Sequence, residues 1–252
     1  MSFGLFWVGR LDSWPLVDWR PMPVKRIVLL ANSRKLSGRC LAGKEQPALG
    51  GKRPWVRPVS ERVSEELSEE ERQYQNGADP RVLDIIDVPL RGHRPKTYQS
   101  ENWVIDPDSY WVRVGRLSWT DLAGLADTPK HLWTNGNHTY HGLNDRVAAD
   151  EAAGLDHSLF LLHLDELKIR VFVPGTAFNN PKRRVQAIFS TAGVEYRPWV
   201  TDPIIERTYL AGEDGEFSIG ECFVTVSLGE PAKDDFCYKL VAAVITRDGV
   251  AK

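Results

Sequence analysis

The stretch KRIVLLANSRKLSGRCLAGKE, residues 25–45, decides how this chain folds. Its first part, KRIVLLANS over 25–33, is a short apolar run ended by Ala31-Asn32-Ser33 and reads as a buried strand. Its second part, SGRCLAGKE, reads as another strand in which Gly38 and Gly43 mark bends or bulges. A turn at Gly50-Gly51 leads into RPWVRPVS, a third strand that Pro54 and Pro58 restrict to an edge or a bulged position. Beyond it, ERVSEELSEEER reads as an exposed acidic helix, and VLDIIDVPL, NWVID and YWVRVGR read as strands. Ser118 with Asp121 three residues later is a helix-start signal for SWTDLAGLA.

HLWTNGNHTYHGLNDRV, residues 131–147, has a different texture: dense in Gly, Asn and His, with no period. We place an inter-domain segment here, running on through DEAAGLD. A second β series follows as SLFLLHL, KIRVFVPG, RRVQAIF, VEYRPWV, CFVTVSLGE and CYKLVAAVI. Within it Val224, Val226 and Leu228 alternate with Thr225 and Ser227, as a half-buried strand requires. The tetrapeptide RPWV stands in both series, at 53–56 and at 197–200. One chance repeat of four letters is not rare in a chain this long, at about 0.3 per chain, so the surroundings must decide. Both copies follow a glycine-containing turn and an earlier strand pair, and a β-rich run begins after each, at Val82 and at Phe223. Two successive sets of about five short strands, with few helices, predict a mainly β protein of two small barrels or sandwiches.

The strings KRIVLLANSRKLSGRCLAGKE, WVRPVS, GLNDRV, FVTVSLGEP and CYKLVAAVI together resemble the bacterial dual OB-domain family, from about Lys25 to Ile245. The resemblance implies two tandem OB-fold-like β-barrels with short helices. It divides the chain into an N-terminal extension (1–24), a first barrel (25–130), a connector (131–157) and a second barrel (158–252). It also implies a nucleic-acid role, which for that family is itself an inference.

Composition narrows the function classes. The formal charge of 252 residues is −2, so the net charge does not mark the molecule as a whole as an obvious polyanion binder. Three cysteines, Cys40, Cys222 and Cys237, lack metal-ligand spacing and predict reduced thiols in a cytoplasmic compartment. Cys222 and Cys237 read as small buried hydrophobes. The first 24 residues carry no basic n-region and no unbroken apolar core, which excludes a signal peptide or membrane span there. Two readings stay open for them: Met22 is the natural start, or a short aromatic arm docks on the body.

The charge is polarised locally. Residues 25–60 hold nine basic residues against Glu45 alone, whereas 61–72 hold six acidic residues against two basic ones. An OB barrel binds ligands around its second and third strands, so Arg34, Lys35, Arg39, Lys44, Arg53 and Arg57 are candidate phosphate contacts. Trp55, Tyr98, Trp103, Tyr110 and Trp111 offer stacking surfaces, and Arg94 and Lys96 extend the basic set through a second loop. The expected partner is single-stranded DNA or RNA. The second barrel is weaker in this respect: Lys182, Arg183 and Arg184 are basic, but 201–238 hold nine acidic residues against two basic ones, which suits a protein partner.

A third class, a metal-dependent enzyme, rests on His131, His138, His141 and Asp145 in the connector, where neutral imidazoles and a carboxylate would have to converge. The bland alternative is that Asn144-Asp145-Arg146 fixes the connector, with Asp145 accepting from backbone amides and Arg146 bridging the domains. No HExxH, nucleophile elbow or phosphate-binding glycine loop occurs. Accordingly no catalytic residue and no cofactor is assigned.

Overall fold

The structure, a computed structural model, describes residues 23–46 and 53–250. The extension over 1–22 lies outside the described residues, as does Lys52.

The first barrel is built from β1 (Val24–Lys35), β2 (Gly38–Glu45), β3 (Trp55–Val59), β4 (Asp84–His93) and β5 (Asn102–Ile105). Its strand order is β1-β2-β3-β5-β4, and β4 pairs back onto β1, so the sheet closes. All its pairings are antiparallel except β3 with β5. The second barrel uses β8 (Leu159–Phe172), β9 (Arg184–Thr191), β11 (Trp199–Val200), β12 (Gly215–Pro231) and β13 (Phe236–Thr246). Its order, β8-β9-β11-β13-β12 with closure onto β8, is the same, and again only the third and fifth strands run parallel. Each barrel places a helix between its third and fourth strands, α1 (Glu69–Arg72) and α3 (Pro203–Leu210), and α2 (Ala149–Ala153) precedes the second barrel.

The two RPWV segments are therefore the third strand of two sister barrels. Lys44 on β2 lies opposite Trp55, and Gln186 on β9 lies opposite Trp199. The next residue of each second strand donates to the proline carbonyl: Glu45 N to Pro54 O and Ala187 N to Pro198 O, both at 2.9 Å. Val56 and Val200 point into their barrels, while Trp55 and Trp199 point out.

β3 is not an edge strand, contrary to the expectation from its prolines. Arg57 N donates to Glu101 O on the β5 side (2.8 Å), so the Pro58 nitrogen faces the other way. On that side the β2 register reaches only Trp55 and Val56, and no donor is needed. The acidic stretch forms a single helical turn, α1, capped by Ser68 and Glu71 in a capping box. SWTDLAGLA yields a 3-10 helix (Trp119–Leu125), not an α-helix. SLFLLHL and KIRVFVPG belong to one strand, β8.

The apolar run of β1 is buried on both sides for a reason the barrels supply. Ile27 and Leu29 fill the first barrel; Val28 and Leu30 face a second apolar layer with Leu159, Leu161, Phe223, Ala242 and Ile245. That layer joins the barrels, and each fully buried Leu, Ile or Phe in it contributes about 1.5–3 kcal/mol before entropy is counted. The register slips at the Leu29/Ala31 step of β1, and Thr225 Oγ1 of the second barrel donates to Leu30 O at 2.6 Å. Residues 131–157 pack onto the second barrel: Leu132, Trp133, Val147 and Ala152 join its core, with Tyr98 from the first. β6 (Val112–Arg116) adds to the first sheet beside β4; β7 (Arg146–Ala148) pairs β13, and β10 (Val194–Tyr196) pairs β9.

Candidate ligand clefts at two equivalent barrel faces

Each outward-pointing tryptophan lines a cleft built on the second, third and fifth strands of its barrel. The larger, about 770 Å³, lies between the barrels and takes Arg184 from β9, Trp199 from β11 and Tyr238 and Leu240 from β13. Its other wall comes from the β1–β2 turn of the first barrel (Arg34, Lys35, Leu36), and Tyr140 and His141 stand at its side. The smaller, about 380 Å³, takes Lys44, Trp55 and Trp103 with Lys25, Arg53 and His93. The two are neighbours: Gln99 lines the first, and Ser100 and Glu101 line the second.

The larger cleft is composite because β1 reaches across to the second barrel. Arg34 N donates to Thr201 O (2.9 Å), directly after the RPWV segment. The Arg34 guanidinium then grips Glu206 of α3 with Nε and Nη2 at 3.1 and 3.0 Å, which raises its pKa. Lys35 Nζ stands 3.5 Å from Glu230. The Arg184 guanidinium carbon sits over Trp199, 4.0 Å from the ring centroid, and Phe172 stacks against the same tryptophan. Partial burial holds the Arg184 pKa below the usual guanidinium value, with Arg34 lowering it further against the pull of Glu206.

Behind this cleft sits a buried ionic knot across the barrels. Arg57 is 4% exposed and its Nη2 lies 3.1 Å from Glu101 Oε1, itself buried. The same nitrogen donates to Ser158 Oγ (2.8 Å) and Ser227 Oγ (3.3 Å), and Ser158 Oγ donates to Glu101. Arg57 Nε has no hydrogen-bond partner among the described residues.

These positions redraw the candidate phosphate set. Lys44, Trp55 and Arg57 are buried, so they are not the surface contacts their sequence context suggested. Lys44 Nζ donates to Leu125 O (2.6 Å) and pairs with Asp127, holding the 3-10 segment down over Trp55. Arg34 and Lys35 line the inter-barrel cleft with acidic partners. Arg94 donates to Ser60 O, and Lys96 pairs with Glu230 at 2.8 Å, bracing the barrels instead of standing clear. Arg39 and Arg53 make no ion pair among the described residues, and only Arg53 lines a cleft. Of the proposed stacking rings, Tyr98 and Trp111 are buried, Trp103 lines the smaller cleft with Lys25 4.4 Å above it, and Tyr110 is exposed away from both clefts. Trp199 and Tyr140 are cleft residues absent from the candidate set, and Arg184 was noted only as part of the weaker basic group of the second barrel; the repeated RPWV was the signal for Trp199.

In the connector, His131 and His138 are exposed, and the His141 ring nitrogen lies 2.9 Å from Pro174 O. Among the described residues no group of three or more His, Cys, Asp or Glu gathers as a metal would require. Asp145 accepts from Thr139 N (2.8 Å) and Thr139 Oγ1 (2.6 Å), the connector-fixing role anticipated for it. Arg146 does not bridge the barrels: it pairs with Asp234 (3.3 Å) and lies over Phe236, both in the second barrel. Cys222 and Cys237 are fully buried and no cysteine is disulfide bonded. Among the described residues no helix is long and apolar enough to cross a membrane.

A family model described as a dual OB-containing domain matches residues 25–244. Comparison with curated proteins and with solved structures finds no match. The chain belongs to the dual OB-containing family, and both barrels are accounted for by that membership.

Proposed function

From that membership we propose that the protein binds single-stranded nucleic acid, with the inter-barrel cleft as its principal contact. One observation carries the reading. The face of the second barrel built on its second and third strands, where OB folds take oligonucleotides, presents Arg184 against Trp199 and faces Arg34 and Lys35 of the first barrel. Basic side chains around an aromatic wall are what a phosphate-sugar-base chain requires. The smaller cleft repeats the theme on the first barrel with Lys25, Arg53, Trp103 and His93, and extends the path past Gln99.

The test is fluorescence anisotropy of labelled single-stranded DNA and RNA. Binding at about 50 mM salt that weakens steeply by about 200 mM, through counterion release, and that Arg34→Ala/Arg184→Ala reduces, supports the reading. No detectable binding of either strand at about 50 mM salt refutes it. A protein partner is the second reading, favoured by β6: this strand ends the first sheet, and Tyr110, Val112 and Val114 on and beside it are exposed.

A further inference from the structure

We propose that the inter-barrel cleft recognises a single phosphate joined to a nucleoside, as a phosphorylated strand end or a free mononucleotide, and not the interior of a strand. This rests on the preceding reading for the nucleic-acid class and deepens it. Four basic groups line the cleft: Arg34, Lys35, Arg57 and Arg184. Three of them already face a carboxylate, Arg34 with Glu206, Lys35 with Glu230 and Arg57 with Glu101. Arg184 makes no ion pair among the described residues. The cleft therefore supplies one cation outside any ion pair among the described residues, set against Trp199, and a guanidinium so placed takes a phosphate through two parallel hydrogen bonds. A strand passing through would bring a further phosphate on either side. For those the cleft has no unpaired cation left, because Arg34, Lys35 and Arg57 already face carboxylates.

The remaining walls suit the nucleoside. Leu36 of the β1–β2 turn is 72% exposed and lines the cleft beside Tyr140, whose ring packs edge-on with His141, so the lining includes an apolar and an aromatic surface. The cleft's volume of about 770 Å³ is that of a small-molecule site rather than a channel for a chain.

The experiment uses the full chain and four probes: one labelled oligonucleotide with a 5′-phosphate, the same with a 3′-phosphate, the same unphosphorylated, and AMP as competitor. One phosphorylated form should bind about tenfold more tightly than the unphosphorylated strand, the loss expected for one bidentate arginine–phosphate contact. AMP should compete with it. Arg184→Gln should abolish the difference between the two strands, while Lys182→Gln, on the exposed neighbouring residue, should preserve it; thermal melting of both variants checks that the fold is kept. AMP binding with no strand binding leaves the nucleotide site standing and refutes the strand reading. Equal affinity for all three strands with no competition by AMP leaves strand binding standing and overturns the end-specific cleft. No binding of any probe overturns both.

Discussion

Removing Arg57 should cost more than removing any exposed cation of the chain. Arg57 and Glu101 are buried together where the barrels meet, and Ser158 and Ser227 of the second barrel complete the knot. The first barrel supplies both charges, the second supplies hydroxyls, and the knot lies beside the apolar layer. Arg57→Met leaves the Glu101 carboxylate buried with one Ser158 donor, and Glu101→Leu leaves a buried guanidinium with hydroxyls alone. Breaking a buried pair from one side costs about 3–5 kcal/mol, because the surviving charge is uncompensated. For a chain of this size that is a fall of about 6–20 °C in melting temperature. The double replacement removes both charges and should recover most of the loss, since Glu101 Oε2 and Arg57 Nε lack hydrogen-bond partners among the described residues and the pair is imperfectly satisfied. Urea unfolding of wild type, both single variants and the double variant gives the coupling directly. If either single variant stays within about 1 kcal/mol of wild type, or the double variant loses the sum of the two, the knot is not a coupled buried pair and the reasoning fails.

Other outcomes follow from single contacts. Thr225→Val keeps the side-chain shape but strands the carbonyl of Leu30, and should cost about 1–3 kcal/mol in the same unfolding assay. Gly142→Ala would place a Cβ 1.9 Å from an Asp145 carboxylate oxygen; the carboxylate must move off Thr139, so the variant should lose stability and bind nucleotide more weakly, through displaced Tyr140 and His141. Lys239 is buried, donating to Thr134 O and Asn135 Oδ1, and burial pulls its pKa down to about 7, with Asp145 opposing. Unfolded, the same ammonium keeps its proton to about pH 10. Between those values the unfolded chain binds more protons, so this group makes stability rise with pH, its penalty being full below about pH 7. Burial pushes the Cys222 thiol up to about 12, which acts in the opposite sense at higher pH. The advantage of Lys239→Met over wild type should therefore shrink between pH 7 and 8.5; an advantage independent of pH would contradict the charge-burial account.

The strands were legible because their signals are local. The apolar run of β1, the alternation in β12 and the repeated RPWV depend on residues a few positions apart, and RPWV proved to mark the same strand twice, down to its register. The roles of the charges were not legible. Arg57, Lys44 and Lys96 look like solvated basic residues in sequence, yet their partners are Glu101, Asp127 and Glu230, the first two brought up by the folding of the first barrel and the third by its packing on the second. A charge count over a short window registers cations and misses the carboxylates brought to them by the residue just before β5 (Glu101), by the segment after the 3-10 helix (Asp127) and by the second barrel (Glu230). The helix expected from the glutamate run is cut to one turn for a related reason: residues 61–64 bend and turn, and Arg39 and Leu67 exchange backbone hydrogen bonds, so helix starts only at the Ser68 cap.

Sister barrels need not give sister sites, and here the docking makes them differ. Trp55 and Trp199 occupy the same place in the same strand, each pointing outward. Against Trp55 the chain lays Leu125, with Lys44 anchored to Leu125 O and Asp127, so the first face is largely closed. Against Trp199 it lays an exposed arginine, Arg184, and the turn of β1 that arrives from the other barrel. The open site therefore belongs to neither barrel alone: the second brings the aromatic wall and the cation outside any ion pair among the described residues, the first brings Arg34, Lys35 and Arg57. Either barrel produced separately would also expose its side of the shared apolar layer, Val28 and Leu30 on one, Leu159, Leu161 and Phe223 on the other. Fusion of the two in one chain keeps that layer covered and keeps the composite cleft assembled, which is the physical reason for the barrels to occur as a pair.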